Sequence, residues 1–315
     1  MFELVGVAFN GDRIVPGLVL GVAAAGLYGL LAVALVLTYR VSRTIGFVMG
    51  GIAFVGTFLY YWLAYVDIAD FGAHPRMGRI PAMLVVVATG TVLGSIYGLT
   101  VTGKRMANWP RIMLTTYSLA CLLLLTGFAV SIIPAEERRV ASPFGTRTFR
   151  ISSVVVTIHQ VATIVILVAL VVALTLVLRG TRAGTYVRAI ADDVETAWWL
   201  GIPLNRVGVG VYGFAGGVAA LAGVLLASAV GTSAPGILLI FLRALVVAVL
   251  GGFTSLSLAL AGCLLLGIGE TMLTAGVFGA MERGLREVIL TSLIFALVFL
   301  INRFRPIRAI EATGL

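Results

Sequence analysis

The chain has 315 residues, of which 60% are hydrophobic and only 11% charged, with a formal net charge of +9. Its mean hydropathy is +1.12. Soluble domains carry about 25% charged residues, so this composition excludes an ordinary globular enzyme and a disordered chain, and points to a polytopic membrane protein. The 38 glycines fit a bundle whose helices approach closely through small residues. Most basic residues lie in short connections between apolar runs, where they set topology or meet lipid headgroups, and this argues against nucleic-acid binding. Cys121 and Cys263 fall inside apolar runs, and His74 and His159 are far apart. No disulfide framework, metal centre or catalytic triad is therefore expected.

In chain order, the apolar runs predict nine transmembrane or re-entrant helices at 14–38, 44–65, 80–101, 111–133, 153–178, 206–229, 237–251, 257–277 and 285–302. The fold class is an all-α polytopic membrane protein, with a single transmembrane domain over 1–315 and no internal repeat. The first run is too long for a cleaved signal segment. Four-residue ladders of small residues, Gly17-Gly21-Ala25-Gly29, Gly90-Gly94-Gly98 and Gly213-Gly217, permit tight helix crossings. Gly46, Gly50, Gly51 and Gly56 mark 44–65 as a candidate broken or re-entrant element. The short run 237–251 carries Arg243, which is expected to snorkel to an interface. A modest bias in basic residues places 102–111, 179–206 and the C-terminus inside, and the N-terminus and 134–152 outside.

One hydrophilic connection stands apart. Residues 179–206 read RGTRAGTYVRAIADDVETAWWLGIPLNR, and Ile190, Val194, Ala197, Trp198 and Gly201 fall on one stripe at helical spacing. Arg188, Asp192 and Glu195 lie on the other side, Arg188 and Asp192 as an i, i+4 pair. Gly201 followed by Pro203 is a helix stop. The pattern predicts one amphipathic helix over 184–201 at the membrane surface, which either lies on lipid or docks a partner. Trp198 and Trp199 serve either role, as headgroup anchors or as partner contacts.

Few polar residues fall within the runs. Glu270 is the carboxylate well inside one, and at membrane depth it must be paired or face a cavity. It either lines a pathway or hydrogen-bonds a neighbouring helix. His159 and Gln160, one turn into the fifth run, are candidates for a solute contact or for an interhelical hydrogen bond.

The run Gly184, Arg188-Ala189, Asp193, Ala197, Gly201-Ile202, then Ala222-Gly223, resembles the cytoplasmic-loop signature of branched-chain amino acid type ABC-importer permeases. Gly17 to Gly21 through Tyr39-Arg40-Val41 is similar to that family's opening span. Leu250-Gly251-Gly252, Ser255, Gly262, Gly267 and Glu270 resemble its next-to-last segment, and Arg305-Pro306 its end. Phe47 and Gly50 stand where the family has Asn-Phe-Ala-x-Gly, but Gly46 and Val48 replace the Asn and the Ala. The resemblance covers residues 15–307.

It implies a permease subunit of the bacterial inner membrane that forms the path for a small solute by alternating access. The solute would be a branched-chain amino acid or a related compound, and the change at Gly46 leaves a more apolar molecule open. The implied partners are a second permease, related or identical, two cytoplasmic ATPase subunits and an extracytoplasmic substrate-binding protein, which the outer loop 134–152 would face. Gly184, Arg188, Ala189, Asp193, Ala197, Gly201 and Ile202 would couple to the ATPase. Phe47, Gly50, Glu270, His159 and Gln160 would line the path. The chain has no G-x-x-x-x-G-K-[ST] motif and its lone lysine is Lys104, so ATP would be used by partner subunits, with no cofactor bound here. The rival reading is an ion-coupled secondary transporter, which would rest on Glu270 alone. A membrane-embedded enzyme would need clustered polar groups that the runs lack.

Overall fold

A computed structural model describes residues 14–65, 78–102, 109–132, 140–145, 147–151, 154–253 and 255–274, with isolated helical positions at 289, 292 and 296. Its helices are α1 (Ile14–Ser42), α2 (Val48–Tyr65), α3 (Arg79–Thr102), α4 (Arg111–Ile132), α5 (Ile158–Gly180), α6 (Arg182–Asp192), α7 (Val194–Trp199), α8 (Leu204–Val230), α9 (Ala234–Leu250) and α10 (Leu256–Thr274). Two strands, β1 (Thr148–Ile151) and β2 (Val154–Thr157), form an antiparallel hairpin before α5, with Thr148 opposite Thr157.

Six described helices, α1, α3, α4, α5, α8 and α10, are long and apolar enough to cross a membrane, while α2 and α9 are shorter apolar helices. At a rise of about 1.5 Å per residue, a helix of α9's length spans roughly 26 Å, close to the hydrocarbon thickness. Eight of the expected runs are thus helices. Of the ninth, 285–302, only the helical positions 289, 292 and 296 are among the described residues.

The bundle is built around α1 and α8. Leu30 to Leu37 of α1 are at most 3% exposed, and so are Ala222 and Val224 to Ala227 of α8. Missing side chains make these depths possible. A Cβ on Gly94 of α3 would come within 2.2 Å of the Tyr212 carbonyl oxygen, and one on Gly90 within 2.7 Å of that of Gly216. The Gly90-Gly94-Gly98 ladder is therefore the α3–α8 crossing. In the same way α10 lies on α1 where Gly267 meets the backbone of Gly21 and Ala25.

Two expectations about elements are corrected. Segment 44–65 is not broken by its glycines: α2 runs unbroken from Val48, and the break precedes it, where Arg43 adopts φ 53°. Its glycines make room for neighbours, Gly51 for Leu122 and Leu125 and Gly56 for Ala220. The fifth span begins at Ile158 and not at 153. The β-branched run Val154–Thr157 pairs as a strand, and Thr157 then caps α5.

Candidate functional site

Three helices converge on one charged group inside the bundle. Tyr28 is the middle residue of α1, and Arg243 sits at the middle of α9. Glu270 is one turn before the described end of α10. The Tyr28 hydroxyl donates to Glu270 Oε2, and Arg243 Nη1 donates to Glu270 Oε1. Arg243 Nη1 also donates to Tyr28 Oη at 3.3 Å, closing the triangle. The Arg243 and Glu270 side chains are 14% and 18% exposed, and Tyr28 is buried. Arg243 therefore does not snorkel. A counter-charge on the adjacent helix satisfies it at depth, where an unpaired cation would be costly. Tyr28 was not legible in the sequence as a site residue, because nothing local marks it.

Phe47 and Gly50 act on the same helix from its other side. The Phe241 ring, two residues before Arg243, meets Phe47 edge-on with centroids 6.5 Å apart. A Cβ on Gly50 would lie 2.8 Å from that ring. These residues of the α1–α2 connection and α2 thus seat α9.

His159 and Gln160 belong to the start of α5. His159 Nδ1 lies 3.0 Å from Ser142 Oγ. Gln160 closes a capping box: its Oε1 accepts from Thr157 N–H at 3.0 Å, and its own N–H donates to Thr157 Oγ1 at 3.4 Å. The structure does not bring these two side chains to the Tyr28–Arg243–Glu270 triangle.

The connection 179–206 forms two helices rather than the single helix expected. Asp193, at φ −153° and ψ 116°, ends α6 and caps α7. Its carboxylate accepts from Glu195 N–H at 3.0 Å and from Thr196 Oγ1 at 2.5 Å. Those hydrogen bonds, the Thr196 hydroxyl foremost, hold its pKa below the ordinary carboxylate range, and the Arg43 charge adds to the effect. A cap of this strength competes with continued helix, which is why the chain kinks there.

The kink also splits the apolar stripe. Ile190 and Ala197 are each 2% exposed and pack with Val41 and Val187, with Ala189, Ile202 and Leu204 at the margin. Val194 is 41% exposed and Trp198 60%. The face expected to dock a partner through Ile190, Val194 and Ala197 is therefore corrected: Ile190 and Ala197 hold the connection to its own bundle. The residues left outward are Val194, Trp198, Trp199 and Leu200. Arg188 Nη2 donates to Thr185 Oγ1 at 3.5 Å, and its expected pair with Asp192 is not closed.

Backbone geometry fixes both ends of the connection. A Cβ on Gly184 would fall 2.3 Å from the Leu178 carbonyl oxygen, so α6 folds back tightly on α5. Gly201, at φ 76°, ends α7. Its N–H donates to the Trp198 carbonyl at 2.9 Å, and that of Ile202 to the Ala197 carbonyl at 3.1 Å. This is a Schellman motif, which requires the left-handed conformation that glycine adopts without strain.

Among the described residues, no group of three or more His, Cys, Asp or Glu side chains could hold a metal ion. The family whose profile matches residues 17–302 is described as "Branched-chain amino acid transport system / permease component". The chain is 27% identical to the high-affinity branched-chain amino acid transport system permease protein BraD of Pseudomonas aeruginosa, over 92% of this chain and 93% of that one. It is 28% identical to the permease protein LivH of the corresponding Escherichia coli system, over 81% of this chain and 84% of that one. It is also similar to the fructose import permease protein FrcC of Rhizobium meliloti, at 29% identity over 68% of this chain and 56% of that one. No solved structure matches the chain.

Proposed function

The chain belongs to the branched-chain amino acid transport system permease family, and on that premise we propose how it works within an ATP-binding cassette importer. With a second permease, related or identical, it forms the translocation path for a small amphipathic solute, a branched-chain amino acid or a close relative. Two cytoplasmic ATPase subunits supply the energy, and an extracytoplasmic binding protein delivers the solute. The N-terminus lies outside and the connection 179–206 inside.

The observation that carries this reading is the geometry of the α6–α7 pair. It is anchored inward by Ile190 and Ala197, yet presents Val194, Trp198, Trp199 and Leu200 outward. An apolar ledge stiffly mounted on the bundle suits transmission of a push from an ATPase, whereas a helix merely floating on lipid needs no such anchoring. Gly184, Asp193 and Gly201 set its shape, and Arg188 lies on its exposed side. The secondary-transporter reading would need Glu270 to take a coupling ion, and the Arg243 counter-charge already answers its charge.

The test is uptake of radiolabelled L-leucine into proteoliposomes holding this permease with its cognate permease, ATPase and binding-protein subunits. Uptake should require ATP. Uptake that follows a proton gradient and ignores ATP would reject the importer reading.

A further inference from the structure

The Arg243–Glu270 pair is unusual in its setting. Arg243 stands at the middle of a 17-residue apolar helix and Tyr28 at the middle of a 29-residue one, so the pair lies deep in the bundle. Yet the two charged side chains are 14% and 18% exposed. Hydrocarbon cannot cover an ionised group at that depth without a large desolvation cost, so the open side of the pair must meet water or other polar matter. Stability does not call for the pair either, since apolar side chains of similar volume usually replace a buried ion pair without loss. A site between helices that keeps two opposite charges side by side, with one edge open, is suited to receive a ligand carrying both.

We infer that Arg243 and Glu270 form a zwitterion site, in which the guanidinium takes the carboxylate of an amino acid and the Glu270 carboxylate takes its ammonium group. This rests on the amino-acid reading above. The contact between the two charges is exchanged for one from each to the solute, which itself brings one charge of each sign. Tyr28 donates to Glu270 Oε2 and so holds the carboxylate in place while Oε1, which accepts from Arg243 in the empty site, is released to the solute's ammonium group. Leu239, one turn before Arg243 on the same face of α9, is 43% exposed and offers an apolar wall for an aliphatic side chain. A planar guanidinium can engage a carboxylate through two parallel hydrogen bonds, which an ammonium cannot. A sugar can hydrogen-bond either side chain through its hydroxyls but brings no charge to answer either one.

The test uses the complete importer in proteoliposomes with L-leucine as probe. The double variant Arg243→Met/Glu270→Leu removes both charges together and leaves neither unpaired. It should assemble with the other subunits, yet lose about tenfold or more of L-leucine uptake at subsaturating concentration, as expected for two lost charge-assisted contacts. Uptake equal to the unmodified complex would overturn the site. Should the double variant fail to assemble, Arg243→Lys and Glu270→Asp decide separately: each should raise KM for L-leucine, and an unchanged KM in both would overturn it equally. If the unmodified complex imports D-fructose and not L-leucine, the amino-acid reading itself fails, an outcome distinct from a variant that still imports L-leucine.

Discussion

Arg43 Nη2 donates to the Asp192 carbonyl oxygen at 3.2 Å, and to that of Ala191, so the end of α1 clamps the end of α6. A guanidinium at these last carbonyls also offsets the negative end of the helix dipole. The same α1 carries Tyr28, about 22 Å away along the helix. One rigid element thus touches both the surface connection and the intramembrane ion pair.

Arg43→Gly tests that link. The substitution removes the guanidinium while glycine relaxes the backbone, which holds φ 53° at this position. The subunit should reach the membrane at normal level with ATP-driven uptake reduced. Uptake at the normal rate would show that the clamp carries no motion.

Buried and outward residues of the connection should behave differently. Ala197→Trp forces a large ring into a site 2% exposed and should lower the subunit's thermal stability. Gly201→Val should cost about 1–2 kcal/mol through its left-handed backbone. Trp199, at 78% exposed, can be changed to Ala without such a cost. That variant should keep its melting temperature in detergent and lose affinity for the ATPase subunit, measured by copurification.

Asp193→Asn should preserve the joint between α6 and α7, and Asp193→Ala should loosen it, seen as faster amide hydrogen exchange over 194–199. Because the folded pKa of Asp193 is depressed, its stabilising effect is present above the ordinary carboxylate pKa. It is lost as pH falls through the lower folded value. Protection of this segment, taken relative to the intrinsic exchange rate at each pH, should thus be unaffected by protonation of Asp193 near neutrality and fall only in strong acid.

Gly94→Val would place side-chain atoms against the Tyr212 carbonyl of α8 and should destabilise the bundle by about 1–3 kcal/mol. Gly127→Ala, with open space around it, should be close to neutral. Equal melting temperatures for the two would contradict the α3–α8 crossing.

Orientation follows from labelling. With Cys121 and Cys263 replaced, Thr148→Cys and Thr181→Cys, both exposed, should react with impermeant reagents from opposite sides of the membrane. Same-side labelling would reject the proposed topology.

The sequence by itself determined the membrane class, eight of the helices and the stop at Gly201, because apolar run length, glycine spacing and backbone conformation are local properties. It also marked 179–206 as the informative connection. Tertiary structure decided what the local pattern left open. The glycines of 44–65 read equally well as breaks or as packing sites until Phe241, Leu122 and Ala220 filled the space beside them. Asp193 stood inside one expected helix over 184–201, and only its bonds to Glu195 and Thr196 made it a joint between two. Arg243, Glu270 and Tyr28 are separated by up to 242 residues, so neither charge could announce its partner. An ion pair between helices is a property of their packing, and no window of sequence contains it.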